Sequence, residues 1–247
     1  MKKLVKNLVV ILIWLGIWQL ISMFTGLELL LASPVAVLRA FCRLLKTKSF
    51  YAVILTSTYR ILLGFVIGTC IGIITGCISG KSDMLSSFLK PVIQLMKSLP
   101  IAVFIIMLLM WFGSKWISTI ISAIIVIPLI HFAVMDGIKS TPVKFLEMAQ
   151  VYRVTGLRKI RYIYFPNIYS RFYSQCKTTV GMCFKAGVSA EVIGLASGTV
   201  GSQLYYSKLY LTSDELMCWG ISVMLVSFLC EKLVLLLLGN LNRKIVK

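Results

Sequence analysis

The sequence predicts an all-α membrane protein of six transmembrane helices in a single domain over residues 1–247. Three observations predict it. The chain is 59% apolar and 14% charged, with a mean hydropathy of +0.93, whereas soluble domains are about 45–50% apolar and about 25% charged. Apolar runs of about the 20 residues that a bilayer crossing needs recur along it. Lysine and arginine are unevenly shared between the segments joining them.

The first run, Leu4 to Phe24, follows Met1, Lys2 and Lys3 like a leader sequence. Its length and the lack of a small-residue cleavage site before Gly26 favour a retained span. Next, Ser33 and Pro34 read as an N-cap and a first helical residue. Val35, Leu38, Phe41, Leu44 and Leu45 then share a face, as in an amphipathic helix lying on the outer membrane surface. Residues 1–53 are therefore expected to form a first span plus this external helix. Residues 54–240 are expected to form a five-helix core, with spans at Ile54–Ile78, Pro91–Phe112, Trp116–Val134, Thr178–Leu195 and Leu216–Leu238.

Six spans put both termini on one side. With that side inside, inner segments hold sixteen lysines and arginines and outer segments six, which satisfies the positive-inside bias. The net charge of +18 is thereby assigned to membrane topology, and nucleic acid is not expected as a partner. The basic stretch Arg39 to Lys48 falls outside in this scheme. Cys70 with Cys77, and Cys176 with Cys183, lie at helical spacing in apolar runs and read as small packing residues.

The second span carries Gly64, Gly68, Gly72, Gly76 and Gly80 at four-residue spacing. Such a stripe is a groove for a closely packed neighbour, with a gating hinge as the alternative role. At its end Gly76, Gly80, Lys81 and Ser82 imitate a phosphate-binding loop, but Thr75 stands where a glycine is required and no strand precedes it. Any ATP is therefore handled by another chain. His131 is the single histidine, and the eight acidic residues form no catalytic pair or metal set. No catalytic residue, metal or cofactor is expected. Charges in or near spans face protein or water. Arg60, Lys97, His131, Lys185 and Glu191 are accordingly candidates for a solute path, with neutralisation between helices or snorkelling as the alternative.

The polar segment 136–173 is the informative loop. Thr141 as N-cap and Pro142 at the first helical position start a helix. Phe145, Ala149 and Tyr152 lie along one face with Leu146 beside them, and Gly156 ends it. Arg158, Lys159 and Arg161, interleaved with aromatic and aliphatic residues, lead to Pro166. These residues alone fit docking to anionic lipid as well as docking to a protein.

Here the sequence resembles the permease subunits of binding-protein-dependent ATP-binding-cassette importers, whose loop carries Glu-Ala-Ala and a proline nineteen residues after the Glu. The matching positions are Glu147, Met148, Ala149 and Pro166. Met148 replaces an alanine, and Arg153 stands where that family has glycine, so the helix is expected to run about one turn longer, to Gly156. Further matches narrow the resemblance to the nitrate, sulfonate and taurine type. They are Ser33, Pro34 and Val37; Thr58, Arg60, Leu63, Gly64 and Phe65; Lys97, Leu99, Pro100 and Ala102; Trp111, Phe112 and Gly113; and Ala190, Glu191, Val192, Gly194, Gly198 and Gly201.

The resemblance implies a type I importer permease fold in the cell membrane with both termini cytoplasmic. It also implies two permease copies (a homodimer here), two ATPase subunits and an extracytoplasmic solute-binding protein or lipoprotein. Thr141, Pro142, Phe145, Leu146, Glu147, Ala149, Tyr152, Arg153 and Gly156 would form the coupling helix that docks the ATPase. Gly64, Gly68, Gly72, Gly76 and Pro100 would serve packing or gating. The implied solute is a small anion such as a sulfonate, taurine or nitrate. The alternatives are a thiamine-precursor pyrimidine or riboflavin, a non-transporting anchor subunit, or a secondary transporter.

Overall fold

The computed structural model describes residues 2–25, 31–154 and 156–246, and the described residues are helices, turns and short connections. Helix α1 (Lys2–Thr25) leads to α2 (Pro34–Leu44), which Ser33 caps by accepting the Ala36 N–H at 3.2 Å. Val37 and Ala40 of α2 pack inward, whereas Val35 and Leu38, expected on the apolar face with Phe41, point outward. Arg43 ties α2 to the start of the last helix through Asp214 and Glu215, at 3.4 and 2.9 Å.

The core is built on α3 (Lys48–Lys81), α6 (Ile117–Lys139), α9 (Phe165–Gly194) and α11 (Ser213–Val246). Because α3 begins at Lys48, the expected boundary at residue 54 falls inside a helix. The glycine stripe of α3 lies against α6 residue for residue. Gly64 meets Thr119 and Ser122, Gly68 meets Ala123 and Val126, Gly72 meets Ile127 and Ile130, Gly76 meets His131 and Val134, and Gly80 meets Ile138. Numbers rise together on both helices, so α3 and α6 run parallel. The chain must therefore return between them, from the end near Gly80 (the loop end) to the end near Ser57 (the far end).

That return corrects the expected third span. Pro91–Phe112 is not one helix but the end of α4 (Asp83–Ser98) followed by α5 (Ile101–Phe112), bent by 102°. Leu99 is extended, with φ −72° and ψ 138°, because the residue before Pro100 is pushed out of the helical region. From Ser86 beside Met135 to the Lys97 ammonium over the Phe132 ring, α4 advances eleven residues while α6 moves by three. Thus α4 crosses the loop end of the bundle, and α5 makes the return.

Helix α9 runs the opposite way to α6, with Asn167 at Gly137, Cys183 at Ser122 and Gly194 at Ile117. Its 30 residues span about 45 Å at 1.5 Å per residue, well beyond the expected Thr178–Leu195. Helix α11 returns beside α9, with Trp219 at Phe50 and the Tyr169 hydroxyl donating to the Leu238 carbonyl at 2.9 Å. Three described helices are long and apolar enough to cross a membrane, or four crossings if the bent pair counts as one. Helix α1 adds an apolar stretch, Leu12–Phe24, and α9 crosses the bundle despite its polar residues. Ile61, Phe65, Val126, Ile130, Val180 and Phe184 centre the core where α3, α6 and α9 meet.

Candidate functional site: the loop end and the polar face of α9

At the loop end the chain forms α7 (Val143–Val151), a turn, α8 (Gly156–Lys159) and a π-helical turn (Ile160–Tyr164) that runs into α9. The expected cap is corrected: Pro142 occupies the N-cap position, and the Thr141 hydroxyl donates back to the Gly137 carbonyl of α6 at 3.3 Å. Asn167 donates to the same carbonyl at 2.8 Å, clamping the start of α9 under the loop.

The expected extension to Gly156 is corrected too. The helix stops at Val151, with the Val154 N–H on the Ala149 carbonyl at 2.8 Å and the Arg153 N–H on the Gln150 carbonyl at 3.1 Å. This pair is the Schellman closure, and its left-handed residue is Arg153, at φ +50°. An arginine standing where the resembled family has glycine thus takes up a glycine conformation instead of prolonging the helix. Gly156, at φ +59°, makes the second turn.

Thr141 and Ala149 are turned inward, Ala149 with 2% exposure, and Leu146 is half-buried. Phe145, Glu147, Tyr152 and Arg153 face out. Residues that spacing did not single out complete this outward face: Val143, Met148, Val151 and Leu157, the last 84% exposed. These exposed apolar residues share the outward side of α7 with the exposed Lys144 and Glu147. Arg158 and Arg161 rim it and are exposed, while Lys159 is half-buried. Beside it the Lys139 ammonium donates to Asp83 at 2.9 Å, and that contact holds the Asp83 carboxyl below its ordinary pKa.

Of the candidate path residues, the structure separates Lys185 from Glu191. Arg171, Ser174, Lys177, Thr178, Lys185 and Ser189 are exposed and share a face of α9 about 120° wide at 100° per residue. None of these three cations has an ion-pair partner among the described residues. Lys185 and Ser189 also line a groove of about 660 Å³ between α9 and α11, with Gly220, Ser227 and Glu231 on the opposite wall. Its lining hydroxyls were detectable only as a polar run at three- and four-residue steps.

Glu191 is on the other side of α9, fully buried, where its Oε2 accepts from the Ser57 hydroxyl at 2.8 Å and from the Gly201 N–H at 3.3 Å. It joins α9 and α3 to α10 (Val200–Leu209). Arg60 is half-buried over Trp116, 5.9 Å from the ring centroid. His131 is buried against α3, with its Nδ1 3.1 Å from the Thr75 hydroxyl, which also lies 2.9 Å from the Ile71 carbonyl. Lys97 is exposed near the α4–α5 corner, which Pro100 occupies as the N-cap residue of α5.

The family of binding-protein-dependent transport system inner membrane components matches residues 68–247. A Bacillus subtilis (strain 168) protein provisionally named as an aliphatic sulfonates transport permease is 24% identical over 98% of this chain and 87% of its own. The nitrate import permease protein of Synechococcus elongatus is 28% identical over 76% of this chain and 71% of its own. The taurine transport system permease protein of Escherichia coli K12 is 22% identical over 71% and 64%. With its match covering most of the length and its parallel and antiparallel apolar helices, the chain belongs to the binding-protein-dependent transport system inner membrane components and is a multi-pass inner-membrane permease of the ABC importer class.

Proposed function

We propose that two copies of this chain enclose the translocation path of an importer for a small oxyanion, and that the exposed face of α7 docks a separate ATPase. The observation that carries this reading is the polar face of α9. Three cations and the hydroxyls of Ser174, Thr178 and Ser189 run along an exposed face of a helix that crosses the bundle. Charges within a bilayer face water or protein, not lipid, so this face supports a water-filled passage shared with a second copy. The Arg171, Lys177 and Lys185 donors, with no carboxylate on the same face of α9, suit an anion. The relatives named for sulfonates, nitrate and taurine transport such solutes by name, and a neutral pyrimidine or riboflavin would have no use for the cations.

Docking through α7 is supported by its uncovered apolar residues Val143, Met148, Val151 and Tyr152. Closure of a dimeric ATPase on a short capped helix moves the spans continuous with it as rigid bodies. The positive-inside bias then puts the loop end and both termini in the cytoplasm, leaving the far end to a solute-binding protein.

The test pairs two sets of variants in the complete transporter. Lys177→Gln and Lys185→Gln are expected to keep the ATPase bound while uptake of the anion falls at least tenfold. Met148→Arg and Val151→Arg are expected to release the ATPase and leave the permease folded. Unchanged uptake in both lysine variants would sink the path assignment, and retention of the ATPase by both loop variants would sink the docking assignment. A chain that moved nothing and bound no ATPase would be an anchor, and uptake without any ATPase would make it a secondary transporter.

A further inference from the structure

At the far end of the bundle, helix α2 presents a face that the transport reading leaves unused. Its inward residues, Val37 and Ala40, pack on the bundle. On the outward side Val35, Leu38 and Cys42 recur at three- and four-residue steps and are exposed, and Arg39 and Arg43 run beside them about one helical turn apart. Lys46 joins these cations from the closing turn, where its N–H reaches the Arg43 carbonyl at 3.3 Å. A shallow groove of about 590 Å³ lies where the two kinds of residue meet, lined by Leu38, Arg39, Cys42, Arg43 and Lys46.

Only one of the three cations meets carboxylates. Asp214 and Glu215 both contact Arg43 through its Nη2, which fixes the guanidinium over the start of α11 and uses neither Nη1 nor Nε. Arg39 and Lys46 have no ion-pair partner among the described residues. The apolar side of α2 continues into α3. The Tyr51 hydroxyl donates to the Leu45 carbonyl at 3.1 Å, and from Tyr51 the exposed residues Leu55 and Tyr59 follow at four-residue steps. They run along a helix long and apolar enough to cross a membrane.

Cations at the end of a span, with an apolar strip leading away from them along it, complement a ligand that has an anionic head and hydrocarbon tails. A free anion has no use for the strip, and a water-soluble partner at the mouth of the bundle has no reach along it. We propose that the outward face of α2 seats an anionic phospholipid, with its phosphate among Arg39, Arg43 and Lys46 and its acyl chains along Leu38, Leu55 and Tyr59. Guanidinium groups suit this role because their forked donors match phosphate oxygens. The lipid ties α2 to the bilayer beside the point where Asp214 and Glu215 tie it to α11.

The lipid site stands apart from the transport reading, and its test needs no solute. The wild-type assembly, in mild detergent with phosphatidylglycerol and phosphatidylcholine in equal amounts, is weighed by native mass spectrometry for retained lipid. Phosphatidylglycerol is expected to be held in preference to phosphatidylcholine. Arg39→Gln combined with Lys46→Gln is expected to weaken its binding about 25-fold, at roughly fivefold for each cation lost beside an anionic headgroup. Lys208→Gln, which removes an exposed cation of α10 outside the groove, is expected to leave binding unchanged. Equal retention of the two lipids by the wild type, or wild-type retention by the double variant, would overturn the proposal. Release of the lipid by inorganic phosphate but not by chloride of the same ionic strength would overturn it too, by making the groove a site for free anions, as would a map of the assembly with a second copy covering this face. Should the double variant fail to fold, the two single variants decide, each with an expected loss of about fivefold.

Discussion

Replacing Gly68 by alanine tests whether α3 and α6 are locked backbone to backbone. The added Cβ would lie 2.7 Å from the Ala123 carbonyl oxygen, 2.8 Å from Val126 Cβ and 3.0 Å from Ala123 Cα. Two of these atoms are backbone and the third is attached to it, so no side chain can rotate away. Ordinary contact needs roughly 3.4 Å or more between such atoms, so the helices must part by about 0.6 Å along a seam as long as α6, with loss of contact at every flanking glycine. Overpacking of this kind costs typically 1–3 kcal/mol. Alanine recovers about 1 kcal/mol over glycine through helix propensity, which leaves a net loss of up to about 2 kcal/mol, or a fall in Tm of up to roughly 4–8 °C for a chain of this size. The control is Gly239→Ala in α11, where a Cβ meets nothing within 4 Å and the propensity gain is uncompensated. Thermal unfolding of both purified variants, followed by size-exclusion chromatography after heating, reads the difference. If Gly68→Ala proved as stable as Gly239→Ala, the parallel close packing of α3 on α6 would be wrong.

Arg153→Gly should stabilise the loop by about 1 kcal/mol, because glycine takes φ +50° without the penalty that a Cβ adds; a rise in Tm with the ATPase still bound is the expected result. Gly201→Ala should be among the most damaging small substitutions, since its Cβ would run into the Cβ and backbone of Glu191; little folded protein is expected in the membrane, whereas Gly220→Ala, with nothing within 4 Å, should express normally. Asp83→Asn reads the loop-end contact with Lys139. A carboxyl whose folded pKa is depressed lends stability above its unfolded pKa of about 3.9 and loses it as pH falls through the folded value. The wild type should therefore show a slightly steeper loss of Tm below about pH 4 than the variant, and the effect should vanish at high salt because both groups are exposed.

Composition and hydropathy alone determined that this chain is a helical membrane protein, because a bilayer crossing requires length and apolarity, both of which are local properties. The family was legible for a related reason: Glu147, Ala149 and Pro166 keep their order and spacing along the chain. The glycine stripe marked α3 as a packing surface but carried no sign of its partner. That α6 fills it, and in parallel, depended on α5 returning the chain, which Leu99 and Pro100 permit by breaking a run that hydropathy reads as continuous.

Tertiary structure also decided which polar groups act together. Lys185 and Glu191 are six residues apart on one helix, yet the first faces out and the second is enclosed, because six residues turn a helix far enough to change neighbours. Likewise Ala149 keeps its signature place in the sequence but packs inside its own loop, and the surface open to a partner falls to Val143, Met148, Val151 and Leu157. Exposure is a property of what lies opposite a residue, and what lies opposite comes from distant stretches of chain.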